Sequence, residues 1–177
     1  MIARDAMSAG SGRAGAGRAQ LPLLDRLLDD APDDPRDPPL APAEAMAALR
    51  RAVRRDLEAL LNARRRWRSW PVALGELATS PVGYGIPDFS TGGFAEPGKR
   101  ERLRAEIEAT IRRFEPRLAA VRVRLPDAAP RLDGTLRLRI EAMLRAEPAP
   151  EPIAFDTRLD AATAEVVVRD DEGGADV

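Results

Sequence analysis

The 177-residue sequence predicts an α+β fold, with two main helices packed on a small three- to four-stranded antiparallel sheet. Two long segments carry apolar residues at helical spacing. After them come several segments in which apolar and polar residues alternate, a pattern typical of strands with one wet face. Because the helical and alternating segments are separate along the chain, we expect the helices to cover one face of the sheet.

The two ends of the chain are predicted to be disordered tails. Residues 1–20 are rich in Gly, Ser, Ala and Arg, and residues 170–177 are acidic. Neither stretch has a hydrophobic period that could offset the entropy of ordering it. Residues 31–42 are rich in Pro and Asp and are predicted to form an extended linker. The α+β domain is therefore expected to span residues 43–169.

A short leucine-rich segment, "LPLLDRLLDD", occupies residues 21–30. Leu24, Leu27 and Leu28 fall at helical spacing and form an apolar stripe. Since the linker follows at once, the stripe has no local partner to pack on. It either folds back onto the main domain or docks on another protein, and its three leucines are candidate partner-binding residues.

The first long helix is predicted over residues 43–66. Pro42 suits its first turn, where the missing N–H costs nothing. The apolar stripe steps by three or four residues through Met46, Leu49, Val53, Leu57 and Leu60. The arginines on the other faces form either a solvated basic surface or a contact for an acidic protein.

Residues 80–94 are rich in glycine and proline and are predicted to form a loop. We expect a structured turn with Tyr84 and Phe89 directed inward. The segment "GYG" is not a dinucleotide-binding fingerprint, because it lacks the third glycine and a preceding strand.

The second helix is predicted from Pro97 to Phe114. Glu108 lies four residues before Arg112, the favourable order for a helical ion pair. Pro116 disfavours helical backbone at Glu115, so the helix should end there and turn directly into a strand.

Strands with alternating apolar residues are predicted within residues 120–126, 135–144 and 153–159, and a final short strand within 164–169 is expected to pair with the third. The edge of such a sheet is a template for a strand from another chain. Of the four segments, 153–159 and 164–169 are the candidates for an exposed edge strand.

Composition excludes several classes of function. The sequence contains no Cys and no His, which removes disulfides, thiolate metal sites and histidine-based catalysis. A formal net charge of −1 gives no general attraction to nucleic acid. There is no apolar run long enough to insert into a membrane and no signal peptide, so a cytoplasmic protein is expected.

A carboxylate pair is the remaining catalytic possibility. Glu76, Asp88 and Glu115 are the candidate acids, and with them the chain would be a peptidoglycan hydrolase. Nothing in the sequence places two of these acids on facing walls of a cleft, so we expect no enzymatic activity and no cofactor or metal.

Three motifs in a fixed order indicate a family. They are "RDLEALLNARR" (residues 55–65), "SPVGYGIPDF" (80–89) and "IRRFEPRLAAVRVRL" (111–125). Together they resemble TssE, the small baseplate wedge subunit of bacterial type VI secretion systems, which belongs with the contractile-phage wedge proteins often labelled lysozyme-like. The resemblance covers residues 46–168, and residues 21–30 also resemble the N-terminal segment of that family.

The resemblance implies a structural role in a cytoplasmic baseplate beneath the bacterial inner membrane. The implied partners are the baseplate subunits TssF, TssG and TssK and the sheath proteins TssB and TssC, whose polymerisation the subunit would initiate. The family's Glu-Pro-Arg motif falls on Glu115, Pro116 and Arg117, which are implied to grip the neighbouring wedge subunits.

Two alternatives stay open. Glu115 and Arg117 could form only an internal ion pair that closes the corner between helix and strand. If they bind a partner instead, replacing either by Ala should leave the melting temperature nearly unchanged. The whole chain could also be a free-standing adaptor that acts through its leucine-rich segment.

Overall fold

A computed structural model describes residues 25, 27, 41–67, 69–90, 94, 96–126, 134–146 and 149–171. Helix α1 (Pro42–Asn62) is followed by two short 3-10 helices, Val72–Thr79 and Pro81–Gly83, and by helix α2 (Pro97–Phe114). Four strands complete the chain: β1 (Leu118–Arg124), β2 (Thr135–Leu144), β3 (Glu151–Asp160) and β4 (Val166–Asp170). This order confirms the predicted α+β fold. The predicted tail 1–20 lies outside the described residues, as do nearly all of the linker and residues 172–177.

The sheet is an antiparallel meander in which neighbours in sequence are neighbours in space, in the order β1-β2-β3-β4. β2 and β3 pair along their whole length, from Thr135 opposite Asp160 to Leu144 opposite Glu151. β1 pairs with β2, and β4 pairs with β3. The edges are therefore β1 and β4. The expectation that residues 153–159 could form an edge strand is wrong, because β2 and β4 flank them.

The hydrophobic core lies between the helices and one face of the sheet. It combines the apolar stripes of α1 and α2 with the inward residues of the strands. Its most deeply buried large side chains include Leu57, Leu60, Leu61, Ile107, Ile111, Ile140, Phe155 and Leu159. α1 packs against β4 and α2 packs against β1. Each helix thus lies over one edge strand.

Helix α1 ends at Asn62, four residues earlier than the sequence predicts. A tertiary contact ends it: Ile86 N donates to Ala63 O at 3.1 Å and Arg65 N donates to Ile86 O at 2.9 Å. This bridge requires Gly85, whose φ is +97° and where an added Cβ would lie 2.4 Å from Ala63 O. The bridge depends on a residue more than twenty positions away, so helical periodicity could not reveal it.

The loop between the helices follows its predicted course in part. Phe89 is buried, as expected. Tyr84 is 39% exposed, so the expectation of an inward tyrosine is wrong; its ring instead meets the edge of Phe114, with the centroids 5.3 Å apart. The predicted loop also contains the 3-10 turn Pro81–Gly83, which Ser80 caps by accepting a hydrogen bond from Val82 N at 3.2 Å.

Candidate functional site

The turn from α2 into β1 is fixed by backbone hydrogen bonds. Glu115 N donates to Ile111 O at 2.8 Å and closes the helix. Leu118 N then donates to Glu115 O at 3.0 Å, which reverses the chain across Pro116. Arg145 N donates to Arg117 O at 2.8 Å and ties the turn to the end of β2. We call Glu115, Pro116 and Arg117 the corner; as predicted, α2 ends at Phe114 and an extended segment follows.

The side chains of the corner form a compact ionic cluster with α1. Arg117 donates from Nε and Nη2 to Glu115 Oε2, at 3.0 and 2.6 Å. The same Nη2 donates to Asp56 Oδ2 on α1, at 2.8 Å. Glu115 is buried, and the side chain of Arg117 is 25% exposed. The internal ion pair considered in the sequence analysis is therefore present.

Burial and charge act together at the corner. Burial raises the pKa of Glu115 above its ordinary value, and Arg117 only partly offsets that effect. Burial also raises the pKa of the Tyr84 hydroxyl, and the negative charges of Glu115 and Asp56 add to the rise. Without Arg117, Glu115 would be a buried carboxyl group with no counter-charge, and this would lower the stability of the fold. An Arg117→Ala substitution is now expected to lower stability, unlike the expectation from a purely partner-binding role.

The leucine-rich segment reaches the corner through α1. Asp25 accepts two hydrogen bonds from Arg55, at 2.6 and 3.2 Å, and Arg55 Nε also donates to Asp56 at 3.1 Å. Leu27 is 71% exposed. Leu24 and Leu28 lie outside the described residues, so the role of the leucine stripe stays a prediction.

The outer edge of β1 is closed by side chains of α2. Val123 N donates to Glu108 Oε2 at 3.0 Å, and Val123 O accepts from Arg104 Nη1 at 3.0 Å. Arg112 Nη2 donates to Val121 O at 2.7 Å. Glu108 also pairs with both arginines, at 2.9 and 2.7 Å, which confirms the predicted Glu108–Arg112 pair. We call this set the charged cap.

The outer edge of β4 is closed by side chains of α1 and of Arg64, just beyond its end. Asn62 Nδ2 donates to Val166 O at 2.7 Å, and Val166 N donates to Asn62 Oδ1 at 2.9 Å. Arg54 Nη1 approaches Val168 O at 3.5 Å, and Arg64 donates to Ala164 O. We call this set the amide cap.

The sequence pattern did not predict that either set of side chains would bond an edge strand. The pattern showed Glu108 and Arg112 only as partners along a helix. Asn62 gave one weak signal: it stands near the end of the predicted helix, where a short polar side chain reaches neighbouring backbone easily. What it bonds depends on how α1 packs over β4, which the local sequence does not encode.

The three candidate acids of a hydrolase lie in different settings. Glu115 is buried and paired with Arg117, whereas Glu76 is exposed. Asp88 accepts a hydrogen bond from Ser90 N at 2.9 Å. Within the described parts of the chain, no group of acidic residues is placed to hold a metal ion. The helices described here include none that is long and apolar enough to cross a bilayer.

Comparison with known proteins gives one family match. The family model described as "Baseplate wedge protein gp25" matches residues 47–149, which is more than half of the chain and includes α2, β1, β2 and most of α1. A chain in the solved structure "The baseplate complex from the type VI secretion system" is similar at 17% identity, over 62% of this chain and 93% of that chain, with a TM-score of 0.43. No curated protein matches the sequence.

Proposed function

Because the chain belongs to the family of baseplate wedge protein gp25, we propose that it is a structural wedge subunit of a type VI secretion baseplate that initiates sheath polymerisation. The family match over residues 47–149 carries the baseplate role. The type VI assignment rests on the three motifs that resemble TssE. A baseplate beneath the bacterial inner membrane is the corresponding location.

The corner is the surface we assign to the neighbouring wedge subunits. Its hydrogen bonds to Glu115 and Asp56 use Nε and Nη2 of Arg117 and, within the described part of the chain, leave Nη1 for an acceptor on a partner. The cluster also holds the guanidinium in place before any partner arrives, which lowers the entropy that binding must overcome. We propose TssF, TssG and TssK as the partners at this surface, and TssB and TssC as the partners in sheath initiation.

Co-expression with the proposed partner subunits, followed by purification on a tag, tests this function. The full chain, tagged, is expressed with the TssF, TssG and TssK subunits of the same genome, as wild type, Arg117→Ala and Arg113→Ala. Arg113 is exposed, lies four residues from Arg117 and is the matched control. We expect the wild type and Arg113→Ala to recover the wedge subunits and Arg117→Ala to lose them.

Arg117→Lys separates binding from folding in the same assay. Lysine keeps a positive charge beside Glu115 but lacks the planar fork of arginine. We expect a folded variant with weakened recovery. Full recovery by every variant would remove the corner from the interface. No recovery by the wild type would contradict the baseplate role and favour the free-standing adaptor.

A further inference from the structure

A continuous chain of ion pairs joins the leucine-rich segment to the corner. Arg55 on α1 holds both carboxylate oxygens of Asp25, from Nη1 at 2.6 Å and from Nη2 at 3.2 Å. Its Nε donates to Asp56 Oδ1 at 3.1 Å, and Asp56 Oδ2 accepts from Arg117 at 2.8 Å. Because Asp56 uses a different oxygen for each arginine, the two bonds do not compete. Asp25 is thus linked to Arg117 through α1.

Asp25 also lies within the electrostatic reach of the corner. The hydrogen bond from Arg55 holds the pKa of Asp25 below its ordinary value, and the charges of Arg55 and Arg117 act in the same direction, against the effect of burial. The side chain of Asp25 is only 20% exposed. At this point the leucine-rich segment is therefore docked on its own domain, next to the corner.

Leu27 faces the opposite way from Asp25. Both residues are helical, and at 3.6 residues per turn two positions correspond to about 200° around the helix axis. Since Asp25 is turned toward Arg55, Leu27 points away from α1, which agrees with its exposure of 71%. The segment is thus anchored to its own domain by a charge and presents a leucine outward. Docking in cis and contact with another protein are compatible in this arrangement.

Tyr84 is a second exposed ring or apolar side chain beside the corner. It is 39% exposed and packs edge-on against Phe114, the residue directly before Glu115. A partner that offers an acceptor to Nη1 of Arg117 would therefore meet apolar groups next to that bond. Interfaces in which apolar contacts surround a charged anchor bind most strongly at that anchor. The matching element is an amphipathic helix with a polar acceptor on its apolar face.

We propose that the leucine-rich segment is the second half of the docking surface at the corner. Asp25 and Arg55 hold the segment in cis, and we call this pair the clasp. Leu27 and Tyr84 contact the apolar face of a helix in the neighbouring wedge subunit, which also bonds Arg117. The identity of that subunit rests on the function proposed above.

The clasp is weak enough to be reversible. The side chain of Arg55 is 43% exposed, and an ion pair near the surface shifts an equilibrium by at most about fivefold. Its effect on binding is to order the segment before the partner arrives, which lowers the entropy that association must overcome. Leu27 touches the partner and is expected to contribute more to the affinity than the clasp does.

Binding of the full chain to the purified TssF–TssG–TssK complex tests the surface. We expect Leu27→Ala to bind roughly 10-fold more weakly, since full burial of a leucine is worth at least that much. Val72→Ala is the matched control, because it shortens an apolar side chain that is 97% exposed on the first 3-10 helix, and it should leave the affinity unchanged. Equal binding by the two variants would overturn the composite surface while leaving the proposed function in place.

A double-mutant cycle in the same assay tests the clasp. Asp25→Asn and Arg55→Ala should each weaken binding about 3- to 5-fold. The double variant should be no weaker than Arg55→Ala alone, because both changes remove the same pair. Arg51→Ala, the control, replaces an exposed arginine one turn earlier on α1 and should bind like the wild type. Additive losses would overturn the clasp.

Trypsin cleavage after Arg26 decides the clasp without a partner. Arg26 lies between Asp25 and Leu27, and Arg55→Ala changes no residue near the cleaved bond. Because the protease acts on the open segment, we expect cleavage of the full chain about 3- to 5-fold faster in Arg55→Ala than in the wild type or Arg51→Ala. An unchanged rate, measured by mass spectrometry, would overturn the clasp.

The same proteins separate a failure of this surface from a failure of the function. If the wild type binds no wedge subunit, the proposed function fails and the surface loses its partner, whereas the cleavage rates still decide whether the segment is held in cis. Light scattering of the wild type alone should show a monomer. A dimer that Leu27→Ala dissociates would assign the surface to a second copy of this chain and overturn the wedge contact.

Discussion

The two edge strands of the sheet are covered by different kinds of side chain, charged on β1 and mainly neutral at Val166 on β4. An uncovered edge strand offers unpaired backbone groups to any other chain. On β1, Val123 is capped by a carboxylate and a guanidinium that also pair with each other. On β4, Val166 is capped by a single neutral carboxamide. The backbone of Val123 is thus held by an ion pair, whereas that of Val166 is held by a neutral amide.

The corner belongs to the stable side of this comparison. It leads directly into β1, and Arg117 O is tied to Arg145 at the end of β2. Its ionic cluster also joins α2 to α1 through Asp56. The corner, the charged cap and β1 therefore form one region held by ion pairs, whereas Val166 on β4 is held by the neutral amide of Asn62.

The largest effect on stability is expected at the corner. Arg117→Ala leaves Glu115 buried without its counter-charge, which should lower the free energy of unfolding by about 2–3 kcal/mol. Arg113→Ala, on the exposed side of α2, should change it by less than about 0.5 kcal/mol. Urea denaturation measures both. A loss for Arg117→Ala as small as that of the control would remove the corner from the stable region.

The charged cap should come next. Glu108→Ala removes the acceptor of Val123 N and the shared partner of Arg104 and Arg112, at an expected cost of about 2 kcal/mol. Glu101→Ala is the matched control, because Glu101 also pairs with Arg104, at 2.7 Å, but is 59% exposed. That control should cost less than about 0.5 kcal/mol. Similar urea midpoints for the two variants would show that the cap does not stabilise β1.

The amide cap should matter least to global stability. Asn62→Leu removes three hydrogen bonds, two with Val166 and one to Glu58 O, but at a site that water can reach, so we expect a loss of about 1 kcal/mol. Urea denaturation followed by circular dichroism compares the free energy of unfolding of this variant with that of Glu108→Ala. If the Asn62 variant is the less stable of the two, the charged cap does not stabilise the fold more than the amide cap does.

Acid should separate the two caps. Burial acts to raise the pKa of Glu108, but the hydrogen bond from Val123 and the charges of Arg112 and Arg104 outweigh it and hold the pKa below its ordinary value. A lowered carboxyl pKa contributes stability above the unfolded pKa, and this stability is lost as the pH falls through the folded one.

The stability difference between the wild type and Glu108→Gln should therefore be full at neutral pH and shrink below about pH 4.3, the ordinary range of a glutamate. The difference for Asn62→Leu should not depend on this titration, because a carboxamide carries no ionisable proton. Urea titrations at a series of pH values measure both differences. Parallel pH profiles for the two variants would contradict the distinction between a charged and a neutral cap.

Local rules predicted the elements of this fold well. The end of α2 just before Pro116 was predictable, because proline restricts the backbone of the residue before it in any surroundings. The four predicted segments, three of them alternating, became the four strands, in an order that needs only short connections. The early end of α1 was not predictable, since backbone hydrogen bonds from Ala63 and Arg65 to distant Ile86 end that helix.

The candidate site was predictable only in part. The motif located Glu115 and Arg117, but their partner Asp56 lies on another helix, sixty-one positions from Arg117. The caps were hidden for the same reason, because bonds from helix side chains to strand backbone depend on tertiary packing. A high arginine content also weakens any inference from a single arginine such as Arg104.

Native-state hydrogen exchange of the wild-type chain tests the contrast between the edges most directly. The amides of Val166 and Val123 are followed at increasing, sub-denaturing concentrations of urea. We expect Val166 to exchange through a local opening whose free energy is lower than that of global unfolding and hardly depends on urea. Val123 should exchange only with global unfolding. If both amides follow the global unfolding free energy, or if Val123 is the one that opens locally, β4 is not the edge that opens.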